Sequence, residues 1–229
     1  MSRSRMVRKT GTQRREDSLS RDRIIEASIA LLDSSGEGGL TFRALSERLA
    51  TGAGAIYWHV ANKGELLTAA CDAIIARTMA SCEAGATPEA TIRVLALGLF
   101  DALDAHPWVG SALTDASGQL PIVRILEPLG QQVRALGVPE DEQWAAVGTL
   151  LNYILGVGGQ NAANGQLGRE RGLDRAESLG AVATVWGQLD ADDYPFTRSM
   201  AAKLRTHDDR ADFLAGIDLI LRGILSPQR

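Results

Sequence analysis

The chain has 229 residues, 45% of them hydrophobic, which is enough for one large domain or two modest ones. No apolar run approaches the roughly 20 residues that a membrane-spanning helix needs. The opening residues, MSRSRMVRKTGTQRR, lack the apolar centre of a secretory signal, so we expect a cytoplasmic protein without a membrane partner. Residues 1–64 hold 11 Lys/Arg and 7 Asp/Glu, whereas residues 65–229 hold 13 and 21, so a polyanionic partner would meet the first part of the chain.

Apolar residues recur with helical spacing along nearly the whole chain, and no long stretch alternates as a strand does. The sequence therefore predicts an all-α fold. Ser20, Thr41 and Asn62 can each cap the N-terminus of a helix, and Glu65 completes a capping box with Asn62. The predicted helices cover residues 21–34, 42–49, 53–59, from 62 onward, 88–105, 120–136, 140–163, 174–189, 196–205 and 209–225.

The stretch GAIYWHVANKGELL, residues 54–67, places Tyr, Trp, His and Lys in one short cluster, which a buried core has little use for. It overlaps the second of two predicted helices, 42–49 and 53–59, that are joined by a short turn containing Gly52. Two helices joined in this way form a helix-turn-helix. In that arrangement the second helix enters the major groove of DNA with its N-terminal end toward the base edges.

These features divide the chain into three segments. Residues 20–66 are predicted to form a helix-turn-helix DNA-binding domain, and residues 67–229 a larger helical domain. The first 15 residues carry six basic side chains, no acidic ones and little to bury, which predicts a disordered arm over residues 1–19. The function of this basic arm is open between a solubilising tail and a contact with DNA.

Four side chains near the turn have donors that suit DNA. Tyr57, His59 and Lys63 can each donate to a backbone phosphate, and Lys63 opens a helix whose N-terminal N–H groups also favour an anion. Arg43, in the first turn of its helix, can bind a phosphate or read a guanine edge. A partly buried structural role is the alternative for His59.

The predicted recognition helix opens with small residues. Ala53, Gly54 and Ala55 have no hydrogen-bonding side chains, although they allow close approach and a methyl contact with thymine. Specificity would then depend on Arg43, on Thr51 and on DNA shape. We include Thr51 and the three small residues among the candidate DNA contacts.

Five other residues are assigned structural roles. Trp58 is expected to pack between helices of the small domain, with contact to DNA as the alternative. Ile56 and Val60 are core residues by spacing. Cys71 and Cys82 lie 11 residues apart on one predicted helix, about 16 Å, which is too far for a disulfide, and we expect two reduced thiols.

The segment LTFRALSERLATGAGAIYWHVANKGELLTA resembles the DNA-binding segment of the TetR family of bacterial transcriptional regulators, over residues 20–75. The family pattern is Tyr-x-His-hydrophobic, two residues, Lys and a Leu pair. This chain supplies Tyr57, His59, Val60, Lys63, Leu66 and Leu67. The resemblance implies a homodimer, a DNA operator with two-fold symmetry and a pocket for a small-molecule inducer in the larger domain.

A weaker resemblance reaches the larger domain. LLNYILGVGGQNAAN and FLAGIDLILRGI are similar to the dimerisation helices of family members that bind tetracycline. The resemblance implies that helices 140–163 and 209–225 form a four-helix dimer interface, although their apolar stripes also suit ordinary intramolecular core. These stripes contain Trp144, Val147, Leu151, Ile154, Leu155, Phe213, Ile217, Leu221 and Ile224.

The inducer pocket implied by the resemblance would have large apolar walls and a few polar groups, which suit a medium-sized, mostly hydrophobic ligand. Packing is the alternative role for each candidate. The segment 165–180, rich in glycine, is expected to be a mobile connection that closes over the ligand in the family. The candidate ligand-binding residues are Phe100, His106, Trp108, Leu126, Asn152, Tyr153 and Gln160.

The resemblance also bears on metal binding. Members that bind tetracycline hold a magnesium–drug chelate with two histidines and a glutamate. The matching positions here are Met79, Leu113 and Gln160, which lack the oxygen or imidazole ligands that such a site needs. We therefore expect no metal site, no cofactor and no binding of tetracycline–Mg²⁺.

The resemblance implies a transcriptional repressor that a small-molecule ligand releases from its operator. Two alternatives stay open, a dimeric DNA-binding protein without an inducer and an activator. An enzyme is disfavoured, because His106 has no Ser or Cys partner in a recognisable motif and no glycine-rich phosphate loop follows a strand. The acidic group Asp190, Asp192 and Asp193 suits a solvated turn better than a metal site.

Overall fold

A computed structural model describes residues 19–116 and 118–226, and this part of the chain contains eleven α-helices and no strand. The predicted all-α fold is confirmed. The chain divides into two compact units, unit 1 (Met1–Ala70) and unit 2 (Cys71–Arg229). The predicted basic arm lies outside the described residues, apart from Leu19. Among the described helices, none combines the length and apolar character needed to cross a membrane.

Unit 1 begins with capped helices, as predicted. The side-chain oxygen of Ser20 accepts from the N–H of Arg23 at 3.2 Å, and that of Thr41 accepts from the N–H of Ala44 at 3.1 Å. The first helix is kinked at Gly36, which has φ 61° and stands where the helix was predicted to end. The helices that lie wholly or partly in unit 1 are α1 (Arg21–Gly39), α2 (Phe42–Leu49), α3 (Ala53–Tyr57) and α4 (Lys63–Ser81).

A capping box fixes the start of α4. Asn62 Oδ1 accepts from the N–H of Glu65 at 2.9 Å, and the Glu65 carboxylate accepts from the N–H of Ala61 at 2.8 Å, one residue earlier than the usual partner. The Ala61 N–H and the Arg21 guanidinium hold the pKa of the Glu65 carboxyl below its usual value. These contacts set the direction in which the chain leaves the cluster of Tyr, Trp and His.

The core of unit 1 is aliphatic. One side of each short helix supplies it, and the predicted core residues Ile56 and Val60 are buried. The other fully or almost fully buried side chains of this core are Ile24, Leu32, Leu40, Leu45 and Leu66.

Unit 2 contains the rest of α4 and seven further helices. Ion pairs join neighbouring helices, with Arg124 Nε 2.7 Å from Asp72 Oδ1 and Arg93 Nε 2.7 Å from Asp218 Oδ1. Cys71 and Cys82 are both free, and burial raises the pKa of the Cys71 thiol to about 12. The seven helices are α5 (Pro88–Ala105), α6 (Trp108–Asp115), α7 (Leu120–Ala135), α8 (Glu140–Glu170), α9 (Arg175–Gly187), α10 (Pro195–Leu204) and α11 (Asp209–Leu225).

Helix α1 extends five residues beyond its predicted end and α3 is two residues shorter than predicted, and two elements of unit 2 differ further. Helix α6 was not predicted, because Pro107 was taken as a break, whereas proline is favoured just before or at the first turn of a helix. Helix α8 continues to Glu170 through the glycines that were taken as a mobile connection over 165–180. Gly168 is buried, and a Cβ there would meet Leu173 O at 3.3 Å, so this glycine allows close packing inside a helix.

The apolar stripes of α8 and α11 also need a correction. Val147, Ile154, Phe213, Ile217 and Leu221 are buried within the chain itself, so they form intramolecular core and not a dimer interface. This face of α8 packs against α5, α7 and α11. At the start of α8, Trp144 lies off this face and is 74% exposed.

Gly85, between α4 and α5, provides a test of how closely this connection packs against the start of α5. Its N–H donates to Thr91 Oγ1 at 3.0 Å, and a Cβ there would lie 2.6 Å from Ala90 Cβ and 2.9 Å from Thr91 N. We expect Gly85→Ala to lower the free energy of unfolding by about 1–3 kcal/mol, because backbone atoms must move. Thermal unfolding followed by circular dichroism measures this. Gly187→Ala is the control, since a Cβ at Gly187 meets nothing within 4 Å; equal Tm values for the two variants would contradict the expected clash.

Candidate DNA-binding surface and ligand cavity

The turn between α2 and α3 has the geometry that a helix-turn-helix needs. Helix α2 ends at Ala50, which adopts the left-handed conformation with φ 50°. The N–H of Ala50 donates to Glu47 O at 3.3 Å, and the N–H of Thr51 donates to Ser46 O at 3.0 Å. These bonds close α2 and turn the chain sharply, so that α3 begins after Gly52.

The start of α3 presents almost no side-chain atoms. Ala53 and Gly54 are exposed, Ala55 is half-buried, and a Cβ added at Gly54 would meet nothing within 4 Å. Thr51 is half-buried beside them. A surface this bare lets another macromolecule approach the backbone closely, but it offers little for reading individual bases.

The Tyr57 ring lies at the end of α3 and is held by a stacking contact. Its centroid is 4.3 Å from that of Phe42, and the two ring planes differ by 12°. The side chain is nevertheless 55% exposed. The ring is therefore oriented by Phe42 while part of it faces solvent.

The expectation that Trp58 packs between helices is wrong, because this side chain is 91% exposed. Ile56 and Val60 already fill the core on either side of it. Three consecutive residues at the end of a short helix point in three different directions, so Ile56, Tyr57 and Trp58 cannot share one face. The Trp58 indole therefore lies on the surface of unit 1, next to Tyr57.

Basic side chains flank the aromatic pair. Arg43 is 89% exposed and pairs with Glu47 at 3.0 Å, an exposed contact within one helix that contributes little to stability. Lys63 Nζ donates to Glu37 O, and an ammonium group has two further donors. His59 is half-buried, and its backbone N–H donates to Ile56 O at 2.9 Å.

Unit 2 contains a cavity of about 500 Å³ between α8, α9 and the start of α11, with one wall from α5. Three of the predicted ligand-binding residues, Phe100, Tyr153 and Gln160, lie on its wall. The volume falls in the range of roughly 300–1,000 Å³ that is typical of small-molecule sites.

The other four predicted residues do not line this cavity. Asn152 is exposed, because one step along α8 from Tyr153 rotates the side chain by about 100°. Trp108 is buried in α6, where its ring meets His106 edge-on at a centroid distance of 6.1 Å. Leu126 is half-buried on α7, which contributes nothing to this cavity.

A polar cluster, formed by Arg175, His207, Asp209 and Asp212, lies at one side of the cavity. Arg175 Nε donates to Asp209 Oδ2 at 2.6 Å, and the two His207 nitrogens lie 3.0 Å from Asp209 Oδ1 and 2.7 Å from Asp212 Oδ2. Burial alone would raise the pKa of Asp209, but Arg175 and His207 outweigh it and hold that pKa below its ordinary value. This cluster could not be predicted from spacing along the chain, since Arg175 and Asp209 are 34 residues apart.

Tyr153 is fixed in the cavity wall by α11. Its hydroxyl donates to Phe213 O at 3.1 Å, and its ring stacks on Phe213 with a centroid distance of 5.6 Å. Burial, with a smaller effect from Asp212, raises the pKa of the Tyr153 hydroxyl. The ring crosses α11 at Gly216, where a Cβ would overlap the phenol.

The positions that hold a magnesium chelate in tetracycline-binding relatives do not come together as a ligand set. Leu113 is buried in α6, whereas Gln160 lies on the cavity wall. Within residues 19–116 and 118–226, no group of three or more His, Cys, Asp or Glu is arranged to hold a metal ion. Asp190 accepts from the N–H groups of Asp192 and Asp193 at 2.8 and 3.0 Å, as an acidic turn does.

A helix-turn-helix with exposed aromatic and basic side chains, joined to an all-α unit with a cavity, defines a helical DNA-binding protein. Residues 24–70 match the family model described as bacterial regulatory proteins, tetR family. The chain is 50% identical to the transcriptional regulator SCO7222, a TetR from Streptomyces coelicolor, with 93% of this chain and 100% of that chain covered and a TM-score of 0.84. The chain belongs to the TetR family and is a transcriptional regulator, not an enzyme.

Two further relatives extend the comparison. An HTH-type transcriptional regulator of Saccharopolyspora erythraea is 29% identical over 140 residues, which span 60% of this chain and 59% of that relative. The structure of BioQ, a protein of Mycobacterium smegmatis, with its double-stranded DNA operator is 26% identical, covers 91% of this chain and 99% of that chain, and has a TM-score of 0.60.

The crossing of Tyr153 over Gly216 leads to a prediction. We expect Gly216→Ala to displace the Tyr153 ring and to lower the free energy of unfolding by about 1–3 kcal/mol. The near-ultraviolet circular dichroism of tyrosine and the Tm measure the two effects. Gly187→Ala again serves as the control. A Gly216→Ala variant with an unchanged near-ultraviolet spectrum and an unchanged Tm would show that α11 does not hold this ring.

Proposed function

We propose that this protein is a homodimeric transcriptional repressor that binds an operator with two-fold symmetry and is released from it by a small molecule. The observation that carries the proposal is the exposure of Trp58 and Tyr57 beside Arg43 at a helix-turn-helix. Large aromatic side chains in solvent, near the helix that carries an exposed guanidinium, suit a polyanion with apolar base edges.

The proposed DNA contacts fall into three kinds. Tyr57, Lys63 and His59 donate to phosphates, and these contacts set the register of the protein on the duplex. Arg43 leaves its weak pair with Glu47 to reach a phosphate or a guanine edge. Trp58 packs on sugars or thymine methyl groups beside the phosphate contacts.

Thr51, Ala53, Gly54 and Ala55 belong to the part of α3 that faces the major groove in this proposal. Their small size supports close approach of the backbone, and specificity then depends largely on Arg43 and on the deformability of the operator. The structure of BioQ with its operator supports a DNA complex for this fold.

The proposed dimer surface lies on the two helices that the sequence suggested but, apart from Ile224, not on their apolar stripes. A groove between α8 and α11 is lined mainly by small and aliphatic side chains, with Glu142 among them, and is open to solvent. A Cβ at Gly223 would meet nothing within 4 Å, so a helix of a second copy has room to approach closely. The small-residue face consists of Ala145, Ala146, Thr149, Ile220 and Gly223.

The cavity of unit 2 favours a regulator that responds to a ligand over a DNA-binding protein whose second unit serves only dimerisation. Release of the operator requires that the ligand bind better to the form of the dimer that does not fit DNA. A hundredfold loss of operator affinity corresponds to about 2.7 kcal/mol of coupling. Repression, as opposed to activation, is tested by whether a reporter behind the operator rises when the gene is deleted.

The DNA surface is tested by fluorescence anisotropy on duplexes that tile the DNA beside the gene, at several salt concentrations. We expect Arg43→Ala to cost about 1–3 kcal/mol, and Lys63→Ala to weaken all duplexes alike and to lower the salt slope by about 1. Tyr57→Phe keeps the stacking on Phe42 and removes only the hydroxyl, at a cost of about 1 kcal/mol. Trp58→Ala is expected to weaken the specific complex.

The matched control is Arg134→Ala, which removes an exposed positive charge from α7 of unit 2. Operator affinity is expected to stay unchanged in this variant. Unchanged operator affinity in all four variants of unit 1, with circular dichroism spectra like that of the wild type, would refute the proposed DNA surface.

The dimer surface is tested by Ala145→Arg. Ala145 is exposed, so the variant is harmless to a monomer, but a long charged side chain prevents close packing of two copies. We expect sedimentation velocity at micromolar concentration to detect a dimer for the wild type and a monomer for the variant. Ala202→Arg, at an exposed alanine of α10, is the control and should remain dimeric. A monomeric wild type would refute the dimer itself, and a dimeric Ala145→Arg would refute this surface.

A further inference from the structure

We infer that the cavity of unit 2 selects an uncharged, flat aromatic molecule with hydroxyl or carbonyl groups on its edge. This inference rests on the proposed function, in which the same cavity takes the ligand. Three features of the cavity lead to it: its aromatic walls, the internal neutralisation of its charges and two side-chain amides without a partner.

Aromatic side chains are concentrated at the cavity. The chain has only 4 Phe, 4 Trp and 3 Tyr, yet Phe100, Tyr153, Trp186 and Phe213 all line this one space. The rings of Phe100 and Phe213 lie 4.6 Å apart and those of Tyr153 and Phe213 5.6 Å apart, so they form a connected wall. Phe100 and Phe213 are 5% and 1% exposed, so they support this wall from behind while Tyr153 and Trp186 present most of its surface. Such a wall favours a flat ring system by stacking over a flexible aliphatic chain of equal area.

The charged side chains of the polar cluster pair with one another. Arg175 binds Asp209, and His207 bridges Asp209 and Asp212 through its two nitrogens. One guanidinium faces two carboxylates, and both His207 nitrogens are occupied by those carboxylates, so the cluster has no surplus positive charge to offer a ligand. An anionic ligand gains nothing from such a cluster and loses its own hydration.

Arg171 is the other cation on the cavity wall. It is exposed in the turn after α8, where its guanidinium stays in water and attracts an anion only weakly. A cationic ligand would have to compete with Arg175 and His207 for carboxylates that are already bound. The remaining walls therefore favour a ligand without charge.

Two amides supply the polar recognition. Gln160 and Asn164 stand four residues apart on one side of α8, and both line the cavity as exposed side chains at its rim. Within the part of the chain that the structure describes, neither side chain has a hydrogen-bond partner, whereas their neighbour Asn161 donates to Asp104 Oδ1 at 3.2 Å. Each free amide offers both donors and an acceptor, which match hydroxyl and carbonyl groups on the edge of a ring system.

The test uses isothermal titration calorimetry on the full chain with three probes at neutral pH. Quinizarin is an uncharged dihydroxyanthraquinone, anthraquinone-2-carboxylate has the same rings with a negative charge, and dodecanol is an uncharged aliphatic chain. We expect quinizarin to bind at least about tenfold more tightly than either of the others, which corresponds to about 1.4 kcal/mol.

Variants locate the binding. Gln160→Leu and Asn164→Leu keep the size of the side chain while removing the amide, and we expect each to weaken quinizarin by about three- to tenfold. Gln166→Leu is the matched control on the same helix, because Gln166 does not line the cavity and donates to Glu170 at 3.1 Å. Its affinity for quinizarin should equal that of the wild type.

Three results would overturn the inference: tighter binding of the carboxylate, tighter binding of dodecanol, or no binding of quinizarin at all. Equal loss in Gln160→Leu and Gln166→Leu would also overturn it, since binding would then lie elsewhere. The proposed function is tested separately by adding quinizarin to the operator complex. Tight binding of quinizarin in the cavity without release of DNA would uphold the ligand class and refute induction. Release of DNA by the carboxylate or by dodecanol would support induction by a small molecule and refute the ligand class.

Discussion

The burial of one face of α8 against α5, α7 and α11 is the interaction on which unit 2 depends. Gly158 shows how close this contact is, because a Cβ there would lie 2.7 Å from Leu103 Cδ1. Because the core covers that face, the other sides of α8 face the cavity or lie outside the chain. One side presents Tyr153, Gln160 and Asn164 to the cavity, and another presents Ala145 and Thr149 outside the chain.

This arrangement explains which parts of the fold could be predicted from the sequence. Helices α2, α5 and α11 begin and end as predicted, because a local signal marks each start: the side chains of Thr41, Thr87 and Asp208 accept from backbone N–H groups of their first turns. The end of α8 was missed because glycine has two uses, as a break and as a place for close packing. Only the neighbours of Gly168 decide between them, and they come from beyond the helix.

The proposed DNA surface and the cavity also differ in how far they could be predicted from the sequence. A short motif places Tyr57, His59 and Lys63 within seven residues of one another, and this spacing is the basis of the proposed DNA surface, but it did not predict the exposure of Trp58. A single tryptophan is more often buried, and its direction depends on which neighbours fill the core first. The cavity wall at Arg175, His207 and Asp209 combines residues from separate helices, and spacing along the chain contains no information about such a set.

The two proposed binding events depend on different physical forces, and this separates them. Contact with DNA replaces counterions with Arg43 and Lys63, so its free energy falls steeply as salt rises. The cavity offers stacking and neutral amides beside charges that already compensate each other, and salt screens such contacts little. A ligand of this kind can therefore change operator affinity only through shape, by favouring an arrangement of the dimer that no longer fits the duplex. In this proposal charge brings the regulator to DNA, and the packing around Tyr153 and α8 is the part of the molecule through which a neutral ligand acts.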